Sequence, residues 1–174
     1  MQTAGAHDAE RLTAQGDKQS FVLQVVQPGL AGLMDGSVST LAPLFATAFA
    51  TGRTHTTFLV GMAAAIGAGI SMAFSEGLSD DGAMTGRGNP VLRGSITGLM
   101  TFVGGIGHAL PFLSGNIHIA LTIAYLVVGV ELVAIALIRN KYFGTRMWLS
   151  MVQVVFGGGL VFAAGVLIGS RAGG

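Results

Sequence analysis

"PGLAGLMDGSVSTLAPLF", Pro28 to Phe45, is small and apolar except for one carboxylate, Asp35, set between Met34 and Gly36. What an acid does there depends on the solvent around it, and composition decides the solvent. Of the 174 residues, 51% are hydrophobic and only 10% charged. A soluble domain is about a quarter charged. Mean hydropathy is +0.69. The 28 glycines follow no collagen period, and Gly enrichment with few charges fits helices packed closely in lipid. With no cysteine there is no disulfide framework, thiol nucleophile or thiolate metal site. A net charge of +1 gives no electrostatic case for a nucleic-acid partner.

A membrane span needs about twenty mainly apolar residues. Five stretches qualify: 25–50, 57–78, 92–113, 117–138 and 147–169. They are joined by short segments, "TGRTHT", "SDDGAMTGRGNPV", "SGN" and "RNKYFGTR". The expected fold is therefore an all-α membrane protein with five transmembrane helices per protomer, the third and fourth forming a tight hairpin. Residues 1–20, "MQTAGAHDAERLTAQGDKQS", are polar and lack the apolar core of a secretory signal. They read as a cytoplasmic tail or short surface helix, with residues 21–171 as the transporter domain. Lys and Arg set the orientation. Arg11, Lys18, Arg87, Arg93, Arg139, Lys141 and Arg146 share one side, against Arg53 and Arg171 on the other. That asymmetry places the N-terminus in the cytoplasm and the C-terminus outside it.

Asp35 then lies inside the first span, where an ionised carboxylate facing lipid costs about 2.5–3.5 kcal/mol on insertion scales. It should face the bundle interior or a wet path. Ser39 follows one turn later, and Pro43 cannot donate to the Ser39 carbonyl, which is left to bind water or a cation. Gly32 and Gly36 form a Gly-x-x-x-Gly pair that permits a close helix neighbour. In the second span Met72, Glu76 and Asp80 are spaced i, i+4, i+8 and fall on nearly one face. Soft thioether beside hard carboxylate suits a borderline transition-metal cation better than Na⁺ or Mg²⁺. Met34, beside Asp35, adds to this without sharing its face. The candidate metal residues are Asp35, Glu76, Met72, Ser39, Met34 and Asp80.

His108 and Glu131 are also intramembrane, and pairing across the third and fourth spans would make them structural. Asp81, Arg87 and Asn89 read as ordinary loop chemistry, and His55 as a solvated loop residue. "GGIG" and "FGGGL" follow no strand and are not phosphate loops. There is no Walker sequence, no hydrolase arrangement of Ser, His and Asp, and no Glu-x-x-His pair. The chain does not read as an enzyme.

"MDGSVSTLAPLFATAF" and "GAGISMAFSEGLSDDG" resemble the vacuolar iron transporter family, whose first span opens Asp-Gly-hydroxyl and whose second carries "ISMA…E". "FVLQVVQPGLAGLMDGSVSTLAPLFA", "SDDGAMTGRGNPVLRG" and "QVVFGGGLVFAAGVLIG" are similar to the membrane domain of bacterial membrane-bound ferritins, the erythrin–iron-transporter proteins. The resemblance covers about residues 21 to 170. It implies a bacterial inner-membrane homodimer around paired first spans, exporting Fe²⁺, or Mn²⁺, in exchange for protons. It implies Asp35, Glu76 and Met72 as translocation residues, and no bound cofactor beyond the transported ions. There are two departures. The helical metal-binding insert of eukaryotic members is replaced by "SDDGAMTGRGNPV", and the ferritin-like domain by about twenty residues. The chain then reads as a stand-alone or truncated transport domain, which leaves open whether a separate iron-delivery protein supplies it. Two readings from other classes remain at this stage: a non-transporting membrane anchor whose acids are interhelical glue, and a passive divalent cation channel.

Overall fold

The computed structural model describes residues 2–83 and 85–172, with the backbone alone for residues 2–10. The chain is all helical. Helix α1 (Gln2–Phe21) passes through a π-helical turn (Val22–Val26) into α2 (Gln27–Thr51). Then come α3 (Thr54–Gly77), α4 (Pro90–Ala109) with a 3₁₀ turn (Leu110–Ser114), α5 (Ile117–Phe143) and α6 (Met147–Ala172). Five of the helical segments are long and apolar enough to cross a membrane. The first of them runs unbroken from Arg11 to Thr51, 41 residues. At 1.5 Å per residue that is roughly 60 Å, about twice the hydrocarbon thickness. The polar tail is thus not a separate surface helix but a continuation of the first span.

Local chemistry explains the boundaries. Pro28 has no N–H for the Gln24 carbonyl and its ring crowds that carbonyl. The ladder widens there, and the Gln27 N–H bonds back to Val22 in the π pattern. Asn89 and Asn116 cap α4 and α5. The Asn89 side chain accepts from the Val91 and Leu92 amides, and Asn116 from His118 and Ile119. Two segments expected as loops are mostly helix. Gly52 (φ 62°) ends α2 in a left-handed cap, and only Arg53 separates it from α3. His55 is therefore an exposed residue of the first turn of α3 rather than a loop residue. Gly144 (φ 63°) caps α5 in the same way, so that helix runs five residues past the expected Ile138.

Helix α4 is the centre of the bundle, packed between α2 and α3. Glycine makes the approach possible. A Cβ on Gly32 or Gly36 of α2 would collide with the backbone carbonyls of Thr97 and Thr101 of α4. On the other side, a Cβ on Gly98 would lie 2.6 Å from both the Ala73 Cβ and the Gly69 oxygen of α3. The Gly-x-x-x-Gly pair of the first span therefore serves an intrachain contact. With α4 seated on it, the pair is not free to bring two first spans together. The tight hairpin exists at its turn, Gly115–Asn116, but α4 packs chiefly on α2 and α3 rather than along α5. Helix α6 reaches α2 at the far end, where a Cβ on Gly165 would sit 2.8 Å from the Ala42 carbonyl oxygen. The apolar core of that end is Leu41, Leu44, Phe45 and Ala48 of α2 against Ala109, Phe112, Ala120 and Ala124.

Two alanine substitutions should separate packing glycines from idle ones. Gly36→Ala meets backbone that cannot swing away and should destabilise the fold by about 1–3 kcal/mol or more. Gly129→Ala, in an exposed stretch of α5 with nothing within 4 Å, should be neutral or stabilising by up to about 1 kcal/mol. Thermal unfolding in detergent reads both.

Candidate functional site

The six sequence-derived metal candidates fall in three places. The first is the lateral face of α2. Asp35 and Ser39 are half-buried there, with Ala31 and Val38 exposed on either side. Neither Asp35 nor Ser39 makes a hydrogen bond or ion pair among the described residues. Gly32 and Gly36 turn toward α4, and Met34 and Ser37 turn toward α5 and α6. Asp35 lies on the stripe between. Farther along, α6 covers the same stripe at Ala42 and Ala46, but from Ala31 to Ser39 it stays open.

The second place is the end of α3 and the loop after it. Glu76 and Asp80 do come together, but not on one helix face: α3 ends at Gly77, Asp80 lies in the loop, and two arginines hold both acids. Arg87 Nη2 lies 2.6 Å from Glu76 Oε1, and Arg93 Nε lies 2.9 Å from the same oxygen. Asp80 Oδ2 is 3.1 Å from Arg93 Nη2 and 3.3 Å from Arg87 Nη1. Arg93 is fully buried, while Glu76 and Asp80 are 18% and 22% exposed. The remaining Arg93 donors reach the carbonyls of Gly88 and Asp80. A buried guanidinium with every nitrogen paired is the geometry that offsets its desolvation. Arg87 is therefore not ordinary loop chemistry: it closes a four-charge network. The loop is also tied to the base of α2, where Gln24 Oε1 accepts from the Asn89 amide at 3.3 Å. Met72, one turn before Glu76, is half-buried.

Asp80 is further held by the Thr85 hydroxyl at 2.9 Å and the Gly82 amide at 2.6 Å. The Thr85 hydrogen bond is the largest influence on its carboxyl, which lies below the usual 3.8. Burial opposes this, and Gly82, Arg93 and Arg87 add to the lowering. A carboxyl with a depressed folded value stabilises the fold above its unfolded value and loses that contribution as pH falls through the folded one.

The third place is a cavity of about 90 Å³ between α2, α4, α5 and α6. It is lined by Met34 and Ser37 from α2, His108 from α4, Glu131 from α5 and Gln153 from α6, among apolar neighbours. Met34 belongs here and not with Asp35. His108 and Glu131 do meet: Nε2 and Oε2 are 2.8 Å apart, with the ring wholly buried and the carboxylate 10% exposed. The contact is close but badly aligned for a hydrogen bond. His108 Nε2 and Glu131 Oε1 are both buried without a hydrogen-bond partner.

Sequence reasoning missed Arg93 and Arg87 as partners of Glu76, and Gln24 and Gln153 altogether. Glu76 and Arg93 are 17 positions apart across a loop, and no helical spacing links them. Among the described residues no group of three or more His, Asp or Glu side chains gathers as a metal cage. Comparisons with protein-family models, curated proteins and solved structures find no match to this chain.

The network yields a graded expectation. Arg93→Met removes the buried member of the network, leaves Glu76 and Asp80 to Arg87 alone and should destabilise by about 3 kcal/mol or more; Arg87→Met, at a 23% exposed side chain, should cost less. Thr85→Ala should raise the pH at which the Asp80 contribution is lost, moving it toward 3.8. Unfolding of each variant between pH 2.5 and 7 measures both effects.

Proposed function

We propose that this chain exports a divalent transition metal, Fe²⁺ or Mn²⁺, from the cytoplasm in exchange for protons, as a homodimer in a bacterial inner membrane. The observation that carries this reading is Asp35, a carboxylate without a partner among the described residues, on an open stripe of a membrane-length helix. Lipid is a costly neighbour for it. A second copy of the same stripe would cover it and bring two carboxylates and two Ser39 hydroxyls to one axis. Proton and metal would compete for the same carboxylate oxygens, and exchange follows if the axis opens alternately to each side. The resemblance of "MDGSVSTLAPLFATAF" and "GAGISMAFSEGLSDDG" to vacuolar iron transporters supports the substrate class. The basic end of the bundle supports an N-terminus in the cytoplasm and a C-terminus in the periplasm. Arg87 and Arg93 spend their charge on Glu76 and Asp80, yet Arg11, Lys18, Arg139, Lys141 and Arg146 remain against Arg53 and Arg171.

Glu76 enters the proposal in a changed role. With two guanidiniums on one oxygen, it can take a cation only if the arginines let go. Metal leaving the loop end of the bundle for the Asp35 axis would have to displace them, which makes the network a cytoplasmic gate. A non-transporting assembly module is the second reading. The same paired arginines favour it, because they account for Glu76 and Asp80 without any metal.

Proteoliposomes with an internal pH dye decide between them. Asp35→Asn keeps the side chain's size but not its titration, so metal-driven proton movement should fall to background while the protein still folds. Wild-type flux in that variant, or no flux in the parent, overturns the exporter. The dimer is tested on this cysteine-free chain by single cysteines. Ala31→Cys and Val38→Cys should crosslink between copies, and Gly32→Cys should not, because Gly32 faces α4.

A further inference from the structure

The His108–Glu131 pair has a polarity that its 2.8 Å separation does not reveal at first sight. The Thr40 hydroxyl has one proton, and it goes to the Gly36 carbonyl at 2.7 Å. Toward His108 Nδ1, 3.5 Å away, Thr40 Oγ1 can only accept. The tautomer assigned by this partner puts the proton of the neutral ring on Nδ1 and leaves a lone pair on Nε2. That lone pair faces Glu131 Oε2, which also offers only lone pairs when ionised. Two such atoms at 2.8 Å repel unless a cation lies at or between them. The misalignment of the contact agrees with this. The 2.8 Å contact is not a hydrogen bond, and His108 Nε2 and Glu131 Oε1 are buried with no hydrogen-bond partner.

We propose that His108 and Glu131 form a divalent transition-metal site inside the bundle, separate from Asp35 and not dependent on the transport reading. Two ligands each about 2.1 Å from one ion are roughly 3.4 Å apart at the tetrahedral angle, so the 2.8 Å separation of Nε2 and Oε2 would open by about half an ångström on binding. Imidazole and carboxylate together favour a transition divalent cation over Na⁺ or Mg²⁺. The Met34 thioether, soft, and the Gln153 amide line the same cavity. At about 90 Å³ it has room for an ion and a water or two, since a liquid water occupies about 30 Å³. Thr40 acts as the outer partner that fixes the ring tautomer, as ligating histidines usually require. Binding balances as a simple exchange. Neutral imidazole and one carboxylate on M²⁺ leave the loaded site with a single positive charge, and a proton held between Nε2 and Oε2 in the empty site leaves as the ion enters.

The test uses the full chain in detergent micelles with Zn²⁺ as the diamagnetic probe. With ¹⁵N-histidine labelling, the four histidines give separate ring signals, and the one lost in His108→Gln is assigned to His108. Zn²⁺ should shift the His108 Nε2 signal strongly in the unsubstituted protein. Glu131→Gln should weaken Zn²⁺ affinity at that signal at least tenfold, and Thr40→Val should weaken it by a smaller factor while disturbing the tautomer. His118→Gln, at an exposed position, should leave it unchanged. If His108→Gln does not fold, the three His-to-Gln variants at the other positions assign the signal by elimination. A His108 signal unmoved by saturating Zn²⁺, or moved equally in Glu131→Gln, overturns the site and leaves the pair as a proton-sharing packing contact.

Discussion

Where Gly98 of α4 meets Ala73 and Gly69 of α3, and Gly32 and Gly36 of α2 meet Thr97 and Thr101, there is no room for a methyl group on either side. Backbone rests on backbone. In lipid the hydrophobic effect between helices is absent, so close van der Waals approach of this kind is what remains to hold helices together. Helix α4 is gripped from two sides, and its position sets everything attached to it. The grip puts Arg93, at its start, under the end of α3, and His108, at its end, against α5. Helices α5 and α6 lack a comparable seam with α4. They close over α2 at one end and leave the His108–Glu131 cavity at mid-height.

The acids of the bundle are sorted by what this packing brings to them. Glu76 and Asp80 meet two arginines and form a closed network whose buried member, Arg93, is fully paired. Glu131 meets the buried ring of His108 at 2.8 Å. Asp35 makes no hydrogen bond or ion pair among the described residues. One residue type in similar apolar surroundings thus takes three roles. Paired charges in a low-dielectric interior are structural because removing either partner leaves the other uncompensated. A carboxylate without a partner has to find one outside the chain, in a second copy, in water or in a cation. That difference, rather than the presence of acids in spans, singles out Asp35.

The loop from Leu78 to Asn89 shows how much tertiary structure a short linker can carry. It is polar, glycine-rich and easy to read as a mere connection. Yet it brings Arg87 back over Glu76, lets Thr85 and Gly82 clasp Asp80, and lays its last residues against Gln24 at the π-turn of the first long helix. The base of the first membrane-length helix and the α3–α4 junction are therefore one hydrogen-bonded unit. A displacement of the loop would be felt at both.

The sequence by itself determined the class and the count: all helical, with five apolar segments long enough to span. Those features are local, since span length depends only on consecutive residues. It also put Glu76 near Asp80 in the chain and allowed His108 and Glu131 to meet, as they do at 2.8 Å; the single helix face expected for Met72, Glu76 and Asp80 does not form, because α3 ends at Gly77 and Asp80 lies in the loop. Tertiary structure alone decided which partner each group has. Gly32 and Gly36 permit a close neighbour, but the pattern does not say whether that neighbour is α4 or another chain. Glu76 could not be assigned to Arg93 because the two are joined by a loop whose path no periodicity encodes. Met34 and Asp35 are adjacent in the chain and a quarter-turn and more apart on the helix, so they went to different places: one to the cavity, the other to the open face. Periodicity fixes which residues look the same way, and packing fixes what they look at.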